Sequence, residues 1–130
     1  MARKPSATLT DGELRLMRVL WQRGEGGAGD VLSMLKGKGT PAYNTVLTML
    51  QILERKGYLR HRKEGRAFRF YPVIDEPQVK RRAVRHFLSR FFDDSPSQLL
   101  LNVLGDDRLD AAELERIQQM LDQRRAERAG

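Results

Sequence analysis

Residues 40–72 join an amphipathic helix directly to a basic hairpin, and this order restricts the fold more than any other feature of the chain. Thr40 is a favourable N-cap, and Pro41 suits the first helical position, where the missing N–H of proline has no helical partner. Gly57 is a typical residue just beyond a helix C-terminus. Apolar residues recur between them at helical spacing, so the pattern predicts a helix with one buried face, formed by Val46, Met49, Leu50 and Leu53.

The opposite face of this helix is polar and rich in hydrogen-bonding groups. Asparagine can bond adenine through two atoms, and threonine offers a hydroxyl to base edges and a methyl to thymine. Such a face fits the major groove of duplex DNA, although any solvated helix face is also polar. The residues expected to contact bases and the adjacent backbone are Tyr43, Asn44, Thr45 and Thr48.

The hairpin strengthens the nucleic-acid interpretation. Residues 58–71 carry aromatic and other β-forming side chains on both sides of Glu64-Gly65, which permits a tight turn. Residues 36–69 contain nine Lys or Arg against two Glu, a local balance of +7, and phosphates are the natural counter-charge. A basic edge hairpin also serves solubility, but a groove-fitting helix beside a basic hairpin is a rarer combination and favours DNA. The expected phosphate contacts are Arg55, Lys56, Arg62, Lys63 and Arg66.

Two helices are expected before this pair. Thr10 and Glu13 have the spacing of a capping box, which begins the first helix. Trp21 shares a face with Leu14 and Met17 at helical spacing, so it is expected in the core rather than as a ligand platform. After a glycine-rich turn, residues 30–36 predict a short second helix. Together with the third helix they complete a helix-turn-helix.

Three further helices are expected after the hairpin, and the charge changes along them. Residues 1–92 carry 19 basic and 8 acidic side chains, whereas residues 93–130 carry 5 basic and 9 acidic ones. The first part is therefore expected to face nucleic acid and the second is not. The helices are predicted over residues 75–92, 96–105 and 110–124, with residues 124–130 frayed.

These last helices are short and rich in leucine, so one protomer can hardly bury their apolar faces. A second copy would cover them, and a two-fold dimer would present two recognition helices to a pseudo-palindromic DNA site. A helical cap folded back on its own first domain is the alternative. The residues expected in the dimer interface are Val79, Ala83, Phe87, Phe91, Leu99, Leu100, Val103, Leu114, Ile117 and Leu121.

The sequence therefore predicts a mainly α chain with a small β-hairpin. Residues 1–73 are expected to form a winged helix-turn-helix domain that binds DNA. Residues 74–130 are expected to form a helical dimerisation arm.

Short motifs spread over nearly the whole chain carry a family resemblance. They are Leu9-Thr10 with Glu13, Leu20-Trp21, Ala42-Tyr43, Thr45-Val46, Thr48-Met49-Leu50, Lys56-Gly57-Tyr58-Leu59, Gly65-Arg66-Ala67 and Gln98-Leu99-Leu100-Leu101-Asn102-Val103. Each is weak alone, and together they are fairly specific. With them the chain resembles the penicillinase and methicillin-resistance repressor family of winged-helix regulators. The resemblance implies a repressor that binds a promoter operator in double-stranded DNA as a homodimer.

The resemblance also implies a means of release. In that family a sensor-triggered protease cuts between an asparagine and a phenylalanine in the dimerisation arm. The corresponding bond here joins Asn102 to Val103, with valine in place of the aromatic residue. A membrane sensor-protease system is thus an expected partner through the resemblance alone.

Other classes of function have little support in the sequence. Without cysteine there is no disulfide or thiolate metal site, and two separated histidines, His61 and His86, make a poor metal site. Residues 24–29 match a dinucleotide-binding glycine pattern, but they follow a helix and not a strand. We expect no cofactor, no metal and no catalytic residue, and the chain is not expected to be an enzyme.

The expected location is the cytoplasm, without membrane insertion, because no apolar run approaches the length that a bilayer requires. A winged helix that docks an acidic protein partner is the alternative function. Weak binding of any duplex together with tight binding of an acidic protein would favour that alternative.

Overall fold

The structure, a computed structural model, describes residues 8–35 and 39–130. It is mainly helical with one antiparallel hairpin, as predicted. Its elements are α1 Asp11–Arg23, α2 Ala28–Met34, α3 Tyr43–Lys56, β1 Leu59–Glu64, β2 Ala67–Pro72, α4 Glu76–Phe91, α5 Pro96–Leu104 and α6 Ala111–Ala129.

The chain divides into two compact units, Met1–Phe87 and Leu88–Gly130, and the division falls within α4. A compact unit defined by contacts need not coincide with an independently folding domain. The boundary expected after residue 73 therefore stays a prediction.

The predicted capping box begins α1. The Thr10 hydroxyl accepts a hydrogen bond from the Glu13 N–H at 3.1 Å, and the Thr10 N–H donates to Glu13 Oε1 at 2.8 Å. Both N–H groups would otherwise have no helical partner. The prediction for the first helix start is confirmed.

The starts of α2 and α3 differ from the predictions. α2 begins at Ala28, two residues early, because the Asp30 carboxylate reaches back to accept the Gly27 N–H at 3.0 Å from inside the first turn. α3 begins at Tyr43 after an N-cap at Ala42. Thr40 does not cap it, because its hydroxyl donates to the Leu35 carbonyl at 3.5 Å. The predicted last residue of the second helix, residue 36, lies outside the described residues.

The predicted end of α3 is confirmed, and the predicted end of α6 is wrong. Gly57 follows α3 with φ 95° and ψ 13°, the left-handed conformation that favours glycine. α6 continues to Ala129, so the prediction of fraying after residue 124 is wrong. Its last turns contain no helix breaker, and Gln123 and Arg124 both reach Glu127, at 3.5 and 3.8 Å.

The core of the first unit lies between α1, α2, α3 and the hairpin. Its most deeply buried side chains are Leu16, Met17, Leu20, Val31, Val46, Leu50, Leu53, Tyr58, Leu59 and Phe70. Trp21 packs against this core as predicted, and its indole N–H donates to the Ile74 carbonyl at 2.9 Å. Val79 of α4 is also part of the core and only 7% exposed. This corrects its predicted place in a dimer interface, because its own protomer already covers it.

Glu13 is the one charged residue among the buried side chains of the described chain, at 4% exposed. Lys56 Nζ lies 2.7 Å from its Oε1, so the capping carboxylate of α1 also holds the last residue of α3. Burial alone would raise the pKa of Glu13, but the hydrogen bonds from Lys56 and from the Thr10 N–H outweigh burial and keep that pKa below its ordinary value of 4.5. This ion pair fixes the C-terminal end of α3 on α1.

Glu13→Gln should lower the free energy of unfolding by about 2 kcal/mol near neutral pH, because it leaves Lys56 without its charged partner. Since the folded pKa of Glu13 is depressed, its contribution is present above pH 4.5 and is lost as the pH falls through the folded pKa. The difference between variant and parent should therefore shrink in acid. Urea unfolding followed by Trp21 fluorescence measures it.

Asp11→Asn is the matched control, because it removes the same charge from an exposed position of the same helical turn. An equal loss in both variants, or a Glu13 effect that does not change with pH, would contradict the role of the ion pair.

Candidate nucleic-acid interface

The predicted two-faced character of α3 is present in the structure. Val46, Leu50 and Leu53 are fully buried, and Met49 packs beside them partly buried. Five of the six α3 residues expected to contact DNA lie exposed on the other side, and they are Tyr43, Asn44, Thr45, Thr48 and Arg55; Lys56, the sixth, is partly buried. Tyr43 is 51% exposed at the N-terminal end of the helix. The helix therefore offers a polar face that the core does not need.

The hairpin places further cations at its strands and tip. β1 and β2 pair in register from Leu59 with Pro72 to Glu64 with Ala67. Glu64 is the last residue of its strand, so the turn consists of Gly65 and Arg66, one residue later than predicted. Gly65 has φ 64°, which a two-residue hairpin turn requires and which glycine adopts at little cost. Arg66 is thus exposed at the tip.

A short third segment extends the hairpin. The Gly26 N–H donates to the Phe70 carbonyl at 2.9 Å, and the Phe70 N–H donates to the Gly26 carbonyl at 2.8 Å. The turn between α1 and α2 therefore lies along the outer edge of β2. The sequence does not predict this pairing, since a single bridging glycine leaves no periodic signal. We call the hairpin with this edge the wing.

Two of the cations expected to hold phosphates already have carboxylate partners. Lys56 is bound by Glu13, as described above, and Arg62 Nη2 lies 2.7 Å from Glu25 Oε1. The hydrogen bond from Arg62 holds the pKa of Glu25 below its ordinary range, and the same bond raises the pKa of Arg62. Glu13 and Glu25 could not be predicted as partners from the sequence, because their positions lie more than 30 residues from the cations that they bind.

Other cations of the wing have no carboxylate partner in the described part of the chain. They are Arg60 and Lys63 on β1 and Arg66 at the tip, and all three side chains are exposed. Positive charge that no carboxylate neutralises is the charge that attracts a phosphate backbone.

His61 connects the wing to α3. Its Nδ1 lies 2.7 Å from Glu54 Oε1, and its ring meets the edge of Phe68 with the centroids 4.8 Å apart. Glu54 lies in the last turn of α3, so the exposed helix and the wing are held together by an ion pair or hydrogen bond as well as by the core. Among the described residues, no group of three or more histidine, cysteine or acidic side chains is placed to hold a metal ion.

The second unit exposes an unusual amount of apolar surface. No side chain of residues 88–130 is buried. Leu100, Val103, Leu114 and Leu121 are between 37% and 44% exposed, and Leu99 and Ile117 are partly buried. Three apolar residues outside the predicted interface set, Leu101, Leu104 and Met120, are 64%, 48% and 58% exposed.

α4 carries further apolar residues that are exposed. Val84, Phe87 and Phe91 are 50%, 44% and 62% exposed, and Ala83 is exposed as well. Val84 precedes Phe87 by three residues and Phe91 by seven, so the three side chains lie on the same side of the helix.

The bond between Asn102 and Val103 lies within α5, a regular helix from Pro96 to Leu104. Asn102 is exposed, and its side-chain amide donates to the Gln98 carbonyl at 3.1 Å. A bond inside a helix is a poor protease substrate unless the helix opens.

A family model described as the penicillinase repressor matches residues 9–123, which include the α3 face, the wing and most of the arm. The chain belongs to the penicillinase repressor family. This confirms the family predicted from the short motifs.

Named relatives and a solved structure agree with this membership. The penicillinase repressor of Bacillus licheniformis is 34% identical over 115 residues, which cover 88% of this chain and 90% of that protein. The methicillin resistance regulatory protein MecI of Staphylococcus aureus (strain N315) is 19% identical over 116 residues, 89% of this chain and 94% of that protein. The solution structure of the DNA binding domain of the repressor BlaI matches with 37% identity and a TM-score of 0.51, covering 58% of this chain and 93% of that domain.

In the part of the chain that the structure describes, every helix is too short or too polar to traverse a lipid bilayer.

Proposed function

We propose that this protein is a transcriptional repressor that binds an operator in duplex DNA as a homodimer. The observation that carries the proposal is the exposed polar face of α3 beside a wing with unpaired cations, in a chain of the penicillinase repressor family. The similarity to the DNA binding domain of the repressor BlaI supports it. Repression needs no catalysis, because occupation of a promoter is sufficient to block transcription.

The exposed face of α3 is proposed to read bases. Asn44, Thr45 and Thr48 combine hydrogen-bonding groups with short side chains, which lets the helix lie close to base edges in the major groove. Tyr43 at the helix start is suited to the adjacent backbone. None of these side chains is needed by the core, so the face is available for a ligand.

The cations around this face are proposed to hold phosphates. Lys63 and Arg66 are exposed on the wing, and Arg55 is exposed in the last turn of α3. Such contacts fix the register of the protein on DNA but do not read sequence. Lys56 and Arg62 join them only if they exchange the carboxylates of Glu13 and Glu25 for phosphate.

Thr48→Ala and Lys63→Ala should separate base reading from phosphate binding. Thr48→Ala should weaken operator binding by roughly 1 to 3 kcal/mol and relax the base preference. Lys63→Ala should weaken binding to all duplexes alike and flatten the salt dependence by about one unit of slope. The measurement is affinity over a salt series, on random duplex and on an operator recovered from the genomic fragments that the purified protein retains.

Identical behaviour of the two variants would contradict the assigned roles. If the parent protein bound duplex DNA only weakly and an acidic protein tightly, the function itself would be a protein-interaction module.

Dimerisation is supported by the apolar surface of α4, α5 and α6. Helices that bury no side chain, such as α5 and α6, gain little from folding alone, since burial of apolar surface is the dominant favourable term. A second copy offers the same surface, and a two-fold axis makes that surface complementary to itself. The dimer would also link two half-site contacts, which raises DNA affinity through effective concentration.

Phe87→Asp together with Leu121→Asp should give folded monomers, because both side chains are more than 40% exposed in the protomer and apolar in the proposed interface. Sedimentation should show half the parent mass, and operator affinity should fall by about 100-fold or more through lost avidity. Ser89→Asp with Gln119→Asp is the control, with the same charges at exposed polar positions of the same helices. A variant of parental mass with a folded spectrum would place the interface elsewhere.

We propose that cleavage between Asn102 and Val103 releases the repressor from its operator, as the family resemblance implies. The cut would separate α6, with Leu114, Ile117 and Leu121, from the rest of the apolar surface. Because α5 is regular at this bond, the protease would need local opening of the helix.

The fragment that ends at Asn102 should be monomeric and should bind its operator about 100-fold more weakly than the full chain. The reason is loss of the linked second half-site, so binding to a single half-site should change little. Sedimentation and affinity on whole and half operators measure both effects. A fragment that stays dimeric and binds as tightly as the parent would exclude this route of release.

A further inference from the structure

The cations of the wing fall into two groups with different surroundings. Arg62 and Arg69 face each other directly in the register of β1 and β2. Like charges at directly opposite positions destabilise a strand pair. A carboxylate between them would remove this cost.

Glu25 supplies that carboxylate. Its Oε1 lies 2.7 Å from Arg62 Nη2 and 3.3 Å from Arg69 Nε, so one oxygen serves both guanidinium groups. The bridge between Gly26 and Phe70 places the neighbouring backbone along β2, which explains why residue 25 reaches this face of the hairpin. The Glu25 side chain is about one-third exposed, less than that of Arg62 at 53%.

The network continues into α1 and α2. Arg69 Nη1 lies 3.4 Å from Asp30 Oδ2, and Asp30 Oδ1 lies 3.4 Å from Arg23 Nη2. Glu64 completes it from the wing, 3.4 Å from Arg69. Three arginines and three carboxylates thus alternate and cancel in charge. The network joins the end of α1, the start of α2 and both strands of the wing.

Arg60, Lys63 and Arg66 stand outside this network. They are exposed, and no carboxylate of the described chain binds them. The formal charge of the hairpin therefore overstates the charge that it can offer to a phosphate backbone.

We infer that Glu25 is a positioning residue of the DNA-binding surface, which holds Arg62 and Arg69 as internal cations of the wing and leaves the backbone contacts to Arg60, Lys63 and Arg66. This inference rests on the proposed function. Arg62 then supports the structure of the wing and does not contact the phosphate backbone. An acidic residue, Glu25, thereby has a place in a basic binding surface, where it fixes the angle of the wing against α1 and α2.

The test uses the full chain and a short random-sequence duplex, with affinity measured over a potassium chloride series. Each lost phosphate contact lowers the slope of log K against log salt by about 0.9. Lys63→Gln should therefore lower the slope by about one unit, and Arg62→Gln should leave it nearly unchanged. In a Glu25→Gln background Arg62 is released to the phosphates, so Arg62→Gln should then lower the slope by about one unit.

Glu64→Gln is the matched control for Glu25→Gln. It removes the same charge from the wing, but Glu64 is 62% exposed and lies 3.8 Å from Arg62. In this background Arg62→Gln should still leave the slope nearly unchanged. The inference is overturned if Arg62→Gln lowers the parental slope as much as Lys63→Gln does, or if its effect is the same with and without Glu25.

A charge exchange tests the same role through the recovery of binding in a double variant. Arg62→Glu alone should weaken operator binding by about tenfold, and addition of Glu25→Arg should recover most of that loss, because the shared carboxylate then lies directly opposite Arg69. If Arg62 contacts phosphate, the exchanged pair should bind no better than the single variant. If Lys63→Gln also leaves the slope unchanged, the proposed DNA-binding function of the wing fails as a whole, which is distinguishable from failure of the Glu25 role.

Discussion

Burial of one face of α3 is the constraint on which the rest of the first unit depends. Val46, Leu50 and Leu53 are fully buried, and burial of each contributes about 2 kcal/mol. Because these residues fix the rotation of the helix, they also decide which residues remain outside. Asn44 and Thr48 are exposed for this reason. The ion pair from Glu13 to Lys56 then holds the far end of the same helix on α1, with the carboxylate withdrawn from water and a cation in contact with it. A candidate recognition surface thus follows from the packing of its opposite face.

The charged residues of the wing fall into two groups with different roles. Near α1 and α2 their role is structural, since Glu25 and Asp30 meet Arg62, Arg69 and Arg23 in an alternating network. Single exposed ion pairs contribute little to stability, but several partly shielded charges in one network can hold an orientation. The remaining cations lie exposed on β1 and at the tip of the hairpin. A surface built in this way keeps a fixed shape while it still offers unneutralised charge to a polyanion.

The two units differ in how much of their apolar surface is buried within one protomer. The first builds a buried apolar core within one protomer, which includes Val79 of α4. The second contains two leucine-bearing helices and buries no side chain at all. The apolar residues of α5 and α6 therefore form a surface that a single copy does not use, and association offers the direct physical use for it. In the proposed repressor, changes in the dimerisation arm would therefore alter DNA affinity without any change in the exposed face of α3.

Local patterns were sufficient for much of this protein. The capping box at Thr10, the glycine after α3, the two faces of α3 and the family were all predicted, because each depends on residues close together in sequence or on short motifs. The predicted starts of α2 and α3 were wrong, because Asp30 caps α2 from inside the helix and Thr40 bonds to Leu35 instead of capping α3. Only the tertiary structure placed Val79 in the core, Gly26 beside Phe70, and Glu13 and Glu25 on their cations. The physical reason is that charge counts and periodicity describe a residue and its near neighbours, whereas the availability of a cation depends on which distant carboxylate folding brings to it.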